Sequence, residues 1–120
     1  MKKLIGLMAL ILFPFLGSAK ADMDTLVFKV SGNCEMCKER IEDALDVKGV
    51  KTADWNQKTK MITVVYDKSK ITEDKIHELI TKAGYETSKK AADQDAYKEL
   101  PGCCQYDQTQ HKPKKSEAKP

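Results

Sequence analysis

No apolar run in this 120-residue sequence is long enough to cross a bilayer. The longest, Leu4 to Leu16, falls short of the roughly 20 residues that a spanning helix needs, and Pro14 near its end suits a signal better than a permanent anchor. Lys2 and Lys3 precede it, and Ala19-Lys20-Ala21 follows as an A-x-A cleavage pattern, so residues 1–21 read as a secretory signal peptide. No cysteine stands near that pattern to carry a lipid. The expectation is an exported chain, periplasmic or secreted, with no stable membrane anchor.

Charge of one sign is also missing. The whole chain has 21 Lys+Arg and 18 Asp+Glu, but residues 1–21 hold Lys2, Lys3 and Lys20 and no acid, leaving 18 basic and 18 acidic residues. A balanced chain offers no basic face, so nucleic acid is not an expected partner. There is no internal repeat. Histidine is scarce, and neither copy looks like a site: His77, between Ile76 and Glu78, reads as an exposed helix residue, and His111 lies in a polar tail. The single tryptophan, Trp55, reads as core.

What the sequence does have is four cysteines, all beyond the signal: Cys34, Cys37, Cys103 and Cys104. An oxidising compartment permits disulfides, and four cysteines allow three full pairings, among which the sequence does not choose.

The pattern around them alternates between strand and helix. Leu26, Phe28 and Val30 recur with period two and predict a strand, broken at Ser31-Gly32-Asn33. From Cys37 the period lengthens: Cys37, Ile41, Ala44 and Leu45 share one helical face, opposite Lys38, Glu39, Glu42 and Asp43. Gly49 is expected to close that helix as a left-handed cap. Val50 to Asn56 predicts a second strand, Gln57-Lys58-Thr59 a turn, and Ile62, Val64 and Tyr66 a third strand. Thr72 is a suitable N-cap, with Glu73 and Asp74 behind it, for a second helix carrying Ile76, Leu79, Ile80 and Ala83. Gly84 stops it, and Tyr85-Glu86-Thr87 predicts a short fourth strand.

That order predicts an α+β, ferredoxin-like βαββαβ fold over residues 22–88, with a four-stranded antiparallel sheet and both helices on one face. Residues 89–106 form an extension, with a short helix between Asp93 and Leu100 stopped by Pro101-Gly102 and followed by Cys103-Cys104. Residues 107–120 are Lys- and Pro-rich without apolar periodicity and read as a disordered, solvated tail.

Cys34-Glu35-Met36-Cys37 lies where the first strand gives way to the first helix. Residues three apart on a helix are neighbours, and a helix N-terminus favours thiolate over thiol. Such a pair either holds a soft metal or cycles between dithiol and disulfide. The redox reading fits less well, because the strand–helix order departs from a thioredoxin fold and no tryptophan adjoins Cys34. A merely structural disulfide would close a loop too short to gain much. Two thiolates can hold Cu(I), and Hg(II) is similarly soft. Zn(II) prefers four ligands, for which Cys103 and Cys104 are the available additions; that second pair could also form its own metal site or cross-link to the first.

Phe28-Lys29-Val30, the Cys34-x-x-Cys37 pair, Ile41-x-x-Ala44-Leu45, Gly49-Val50, Val64-x-Tyr66-Asp67 and Ile76-x-x-x-Ile80-x-x-x-Gly84-Tyr85 occur in register. On these residues the segment 25–88 resembles the heavy-metal-associated domain of copper chaperones, of N-terminal modules of metal-pumping P-type ATPases, and of periplasmic mercury-binding proteins. The resemblance implies a non-enzymatic protein that binds a soft ion at Cys34 and Cys37, Cu(I) foremost, with Hg(II), Cd(II) or Zn(II) as alternatives. It implies a metal transporter or another metal-binding protein as partner. It leaves open a monomer or a metal-bridged dimer. Tyr85 is implied to support the cysteine loop without being a ligand. The family loop carries Gly-Met where this chain has Ser31-Gly32, and that methionine is a buried strut under the loop. Its absence implies a differently packed loop, with Met36 as the replacement anchor. Residues 89–120, with Cys103 and Cys104, lie outside the resemblance.

Overall fold

A computed structural model describes residues 21–108. Residues 1–20 of the signal segment and most of the tail, with His111, lie outside the described residues. Strand β1 spans Met23–Lys29, helix α1 Glu35–Ala44, β2 Val50–Trp55, β3 Met61–Asp67, α2 Glu73–Lys82 and α3 Gln94–Glu99; a single 3-10 turn covers Gly102–Cys104. Among the described residues no helix is long and apolar enough to cross a membrane.

The period-two pattern sorts the strands as expected. β3 is the central strand of an antiparallel sheet in the order β1-β3-β2. Leu26 pairs with Val64 and Phe28 with Ile62, while Ala53 and Trp55 pair with the same two β3 residues from the other side. Phe28, Trp55, Ile62, Val64 and Tyr66 are buried in one core with Ile41 and Leu45 of the first helical segment and Ile76 and Ile80 of α2. Each large apolar side chain so buried stabilises the fold by about 1.5–3 kcal/mol. The opposite sheet face is open, and Val27 on it is 55% exposed.

Both helices begin and end for identifiable reasons. The Thr72 hydroxyl accepts from Lys75 N–H at 3.2 Å, as an N-cap should. Gly84 follows α2 with φ +98°, a conformation that costs a β-carbon-bearing residue about 1–2 kcal/mol. The first helix ends earlier than its glycine suggested. Leu45 and Asp46 N–H groups donate to Glu42 and Asp43 carbonyls, and these tightened bonds turn the chain while Leu45 remains in the core. Gly49 is left-handed, φ +100°, but it serves the entry to β2: a β-carbon there would meet Ile71 at 2.9 Å.

Two further expectations are corrected. Among the described residues the sheet has three strands, not four. Tyr85-Glu86-Thr87 contributes only an isolated antiparallel bridge between Val30 and Thr87, flanked by Ser31 N–H donating to the Glu86 carbonyl and Ser88 N–H to the Lys29 carbonyl. The pairing goes no further because the neighbouring backbone groups are engaged elsewhere. Tyr106 Oη accepts from Glu86 N–H and donates to the Gly84 carbonyl, both at 2.8 Å, and Thr87 N–H donates to the Lys90 carbonyl. His77 is buried, not exposed. Its ring packs on Phe28 with centroids 4.0 Å apart, and Nδ1 lies 2.7 Å from Thr87 Oγ1, so α2 presents a wider buried face than its aliphatic residues mark.

Candidate functional site

Cys34 is the N-cap of α1 and Cys37 lies in its first turn. Their sulfurs are 3.8 Å apart, and all four cysteines are free thiols. Cys34 is half-buried at the surface and Cys37 fully buried behind it. The Cys34 thiol is drawn down to about 7, chiefly by the backbone N–H of Cys37, then by the Cys37 thiol and Met36 N–H, against the opposing effect of burial. Unsatisfied amides at a helix N-terminus favour negative charge on a sulfur in this way.

The second pair divides. Cys104 Sγ comes within 4.8 Å of both Cys34 and Cys37 sulfurs, forming a group of three. Burial, and next the nearby Cys37 thiol, push the Cys104 thiol up to about 12. Cys103 is exposed and outside the group; its carbonyl accepts from Asn33 Nδ2 at 3.3 Å and lies 3.8 Å from Cys34 Sγ, and its thiol adds a last, small effect on the Cys34 thiol.

The loop is packed from below by residues that answer its unusual sequence. A β-carbon on Gly32 would stand 3.0 Å from the Trp55 indole, so the tryptophan fills the space a side chain at 32 would take. Trp55 is fixed by Nε1–H donating to the Val30 carbonyl at 3.0 Å. Ser31 donates its hydroxyl to the buried Glu86 carboxylate at 2.9 Å, and its N–H to the Glu86 carbonyl. Met36, expected as an anchor, is 44% exposed and contributes none of this packing. Lys38 ties α1 to β2 through Asp54 at 2.7 Å and the Trp55 carbonyl at 2.9 Å, and pairs with Glu42 of its own helix at 2.7 Å. Those carboxylates raise the Lys38 ammonium above its ordinary value. The sequence pattern marked Lys38 and Glu42 only as a solvent face; their i,i+4 spacing was the available signal, and the partner across the fold was not.

Tyr85 lies behind the sulfurs, fully buried, and its hydroxyl has no hydrogen-bond partner. Burial raises its ionisation far above the usual phenol range, with the Cys104 and Cys37 sulfurs adding to the effect. It lies on the core side of the site. No histidine among the described residues joins the sulfurs.

The heavy-metal-associated domain model matches residues 27–86, half of the chain, and contains the Cys34–Cys37 loop. Among solved structures, the CopZ metallochaperone is 32% identical with a TM-score of 0.52, covering 53% of this chain and 98% of its own. Oxidized MerP from Ralstonia metallidurans CH34 is 27% identical at a TM-score of 0.51, covering 54% and 93%. A copper binding domain from HMA7, a P-type ATPase, is 31% identical at 0.51, covering 52% and 88%. No curated protein matches the sequence. With its family motif on a ferredoxin-like frame and its two cysteines at the head of α1, the chain belongs to the heavy-metal-associated domain family.

Proposed function

We propose that the protein is an exported, non-enzymatic carrier that sequesters or transfers a thiophilic ion, Cu(I) in the first instance, by thiolate exchange at Cys34 and Cys37. The observation that carries this is the pair of sulfurs 3.8 Å apart, one half-exposed and held toward the thiolate, the other buried. A soft monovalent ion accepts low coordination numbers, so two sulfurs can hold it and leave a flank open. An incoming thiolate forms its bond to the ion there as one of the protein's bonds breaks. The ion is therefore never free. Support for copper comes from the likeness to the CopZ metallochaperone and the HMA7 domain, and the likeness to MerP keeps Hg(II) in view. Zn(II) and Cd(II) also accept thiolate, but Zn(II) prefers four ligands, and three sulfurs gather among the described residues. A metal transporter or another metal-binding protein is the fitting partner. The signal-like residues 1–21 support action in the periplasm.

Anaerobic competition titration of the reduced protein with Cu(I) tests the reading. Tight binding is expected, lost in Cys34→Ser and in Cys37→Ser. Weak binding together with an oxidising potential and rapid thiol exchange would replace it with a thiol–disulfide role, which the same sulfur separation also allows. Mass analysis of the periplasmic fraction is expected to find a chain beginning at Asp22; a full-length chain retained in the cytoplasm overturns the export proposal.

A further inference from the structure

We infer that Cys104 is a third sulfur ligand, delivered by residues 89–106 acting as a strap, and that undocking of the strap opens the coordination position used in transfer. This rests on the metal-binding reading of Cys34 and Cys37 and goes beyond it, because the matched family segment ends at residue 86.

The placement of Cys104 is built by many residues. Asp93 caps α3 by accepting from Ala96 N–H at 3.0 Å, and its own N–H donates to the Thr81 carbonyl at 3.0 Å. α3 then runs directly over Gly84, where a β-carbon would stand 3.0 Å from the backbone of Ala96 and Tyr97. Leu100 and Tyr106 enter the main core, and Tyr106 stacks on Tyr85 with centroids 5.8 Å apart. Tyr97 Oη donates to the Tyr106 carbonyl at 2.6 Å and its ring meets Tyr106 edge-on. The turn at Gly102–Cys104 is thereby held so that one of two adjacent cysteines faces inward and the other faces solvent.

A second observation points to an ion in the same place. The buried Tyr85 hydroxyl has no hydrogen-bond partner of good geometry, and the side chains that act most on its ionisation are the Cys104 and Cys37 sulfurs. A buried donor left unmatched is costly, and a neutral thiol is a weak acceptor. Metal binding replaces thiol protons, which leave to solvent, with bonds to the ion. The resulting thiolate sulfurs are better acceptors, which strengthens in the loaded protein a Tyr85 contact that is poorly formed in the free one.

Three sulfurs suit Cu(I) or Hg(II) in a three-coordinate shell and leave Zn(II) one ligand short. Transfer then has a defined first step. The strap lifts, the bond from the ion to Cys104 breaks with both electrons on sulfur, and a partner thiolate forms the replacing bond. Cys104 takes a proton from solvent, and no oxidation state changes.

X-ray absorption on the reduced, Cu(I)-loaded full chain, at a concentration where it sediments as a monomer, reads the sulfur count. Three sulfurs per copper are expected in the wild type and two in Cys104→Ser, with affinity lower by about tenfold or more in competition titration. Cys103→Ser should change neither value. Gly84→Ala retains every cysteine but forces the strap away, and is expected to lower affinity in the same direction. Two sulfurs in the wild-type monomer would overturn the strap ligand whether or not any variant folds. So would unchanged affinity in a folded Cys104→Ser protein. Both results leave the Cys34–Cys37 reading standing. Absence of Cu(I) binding by the wild type would overturn both.

Discussion

His77 shows how one side chain couples pH to stability in this domain. Its imidazole is buried between Phe28 and Thr87, and burial first, then the Lys89 charge, holds it below the ordinary histidine value. In the unfolded chain the group returns to a pKa near 6.5 and binds protons that the folded state resists. Its contribution to stability is therefore complete above about pH 6.5 and is lost as pH falls toward the folded-state value. The melting temperature is expected to fall more steeply between about pH 7 and pH 5 in the wild type than in His77→Gln. Equal slopes would show that the imidazole titrates alike in both states. Trp55 illustrates a different coupling, through volume. Trp55→Ala should cost about 3–5 kcal/mol in urea unfolding, as for other buried aromatics. Gly32→Met should destabilise as well, since the indole occupies that space. The double variant should lose less than the sum, because the new side chain enters the vacated volume. Strict additivity would mean that the two positions do not compete.

At the level of elements, the sequence was most legible where one face of a segment meets one core. The periodicities of β1, β3 and α2 located those elements to within a few residues, and the Cys34–Cys37 pair stood at the strand-to-helix junction where its spacing and flanking residues put it. Three of the failures have a common cause. The fourth strand, the buried His77 and the exposed Met36 depend on a partner distant in sequence, whereas the early end of α1 is set locally by the Leu45 and Asp46 amides. Tyr106 takes the backbone groups of Gly84 and Glu86, Thr87 meets His77, and Trp55 takes the volume assigned to Met36. Period and propensity carry no term for such partners. The adjacent Cys103 and Cys104 pose the same problem in miniature: identical residues side by side differ in role because a 3-10 turn, set by α3 and Tyr106, points one inward.

The molecule as a whole is one core built from two stretches of sequence, the family segment and the extension after it. Leu100, Cys104 and Tyr106 belong to the same buried cluster as Phe28 and Ile80. Ending the chain at Ser88 is therefore expected to cost on the order of 2–4 kcal/mol, the burial gained by the extension less the entropy of ordering it. Urea unfolding of the shortened chain measures it; an unchanged midpoint would make the extension a passenger on an independent domain. The Tyr106 hydroxyl has one more effect. The Glu86 amide and the Gly84 carbonyl are both buried, and a single phenol oxygen that receives from one and gives to the other leaves neither stranded in the interior. A Tyr106→Phe protein keeps the ring but orphans both groups, and should lose about 1–3 kcal/mol in urea unfolding.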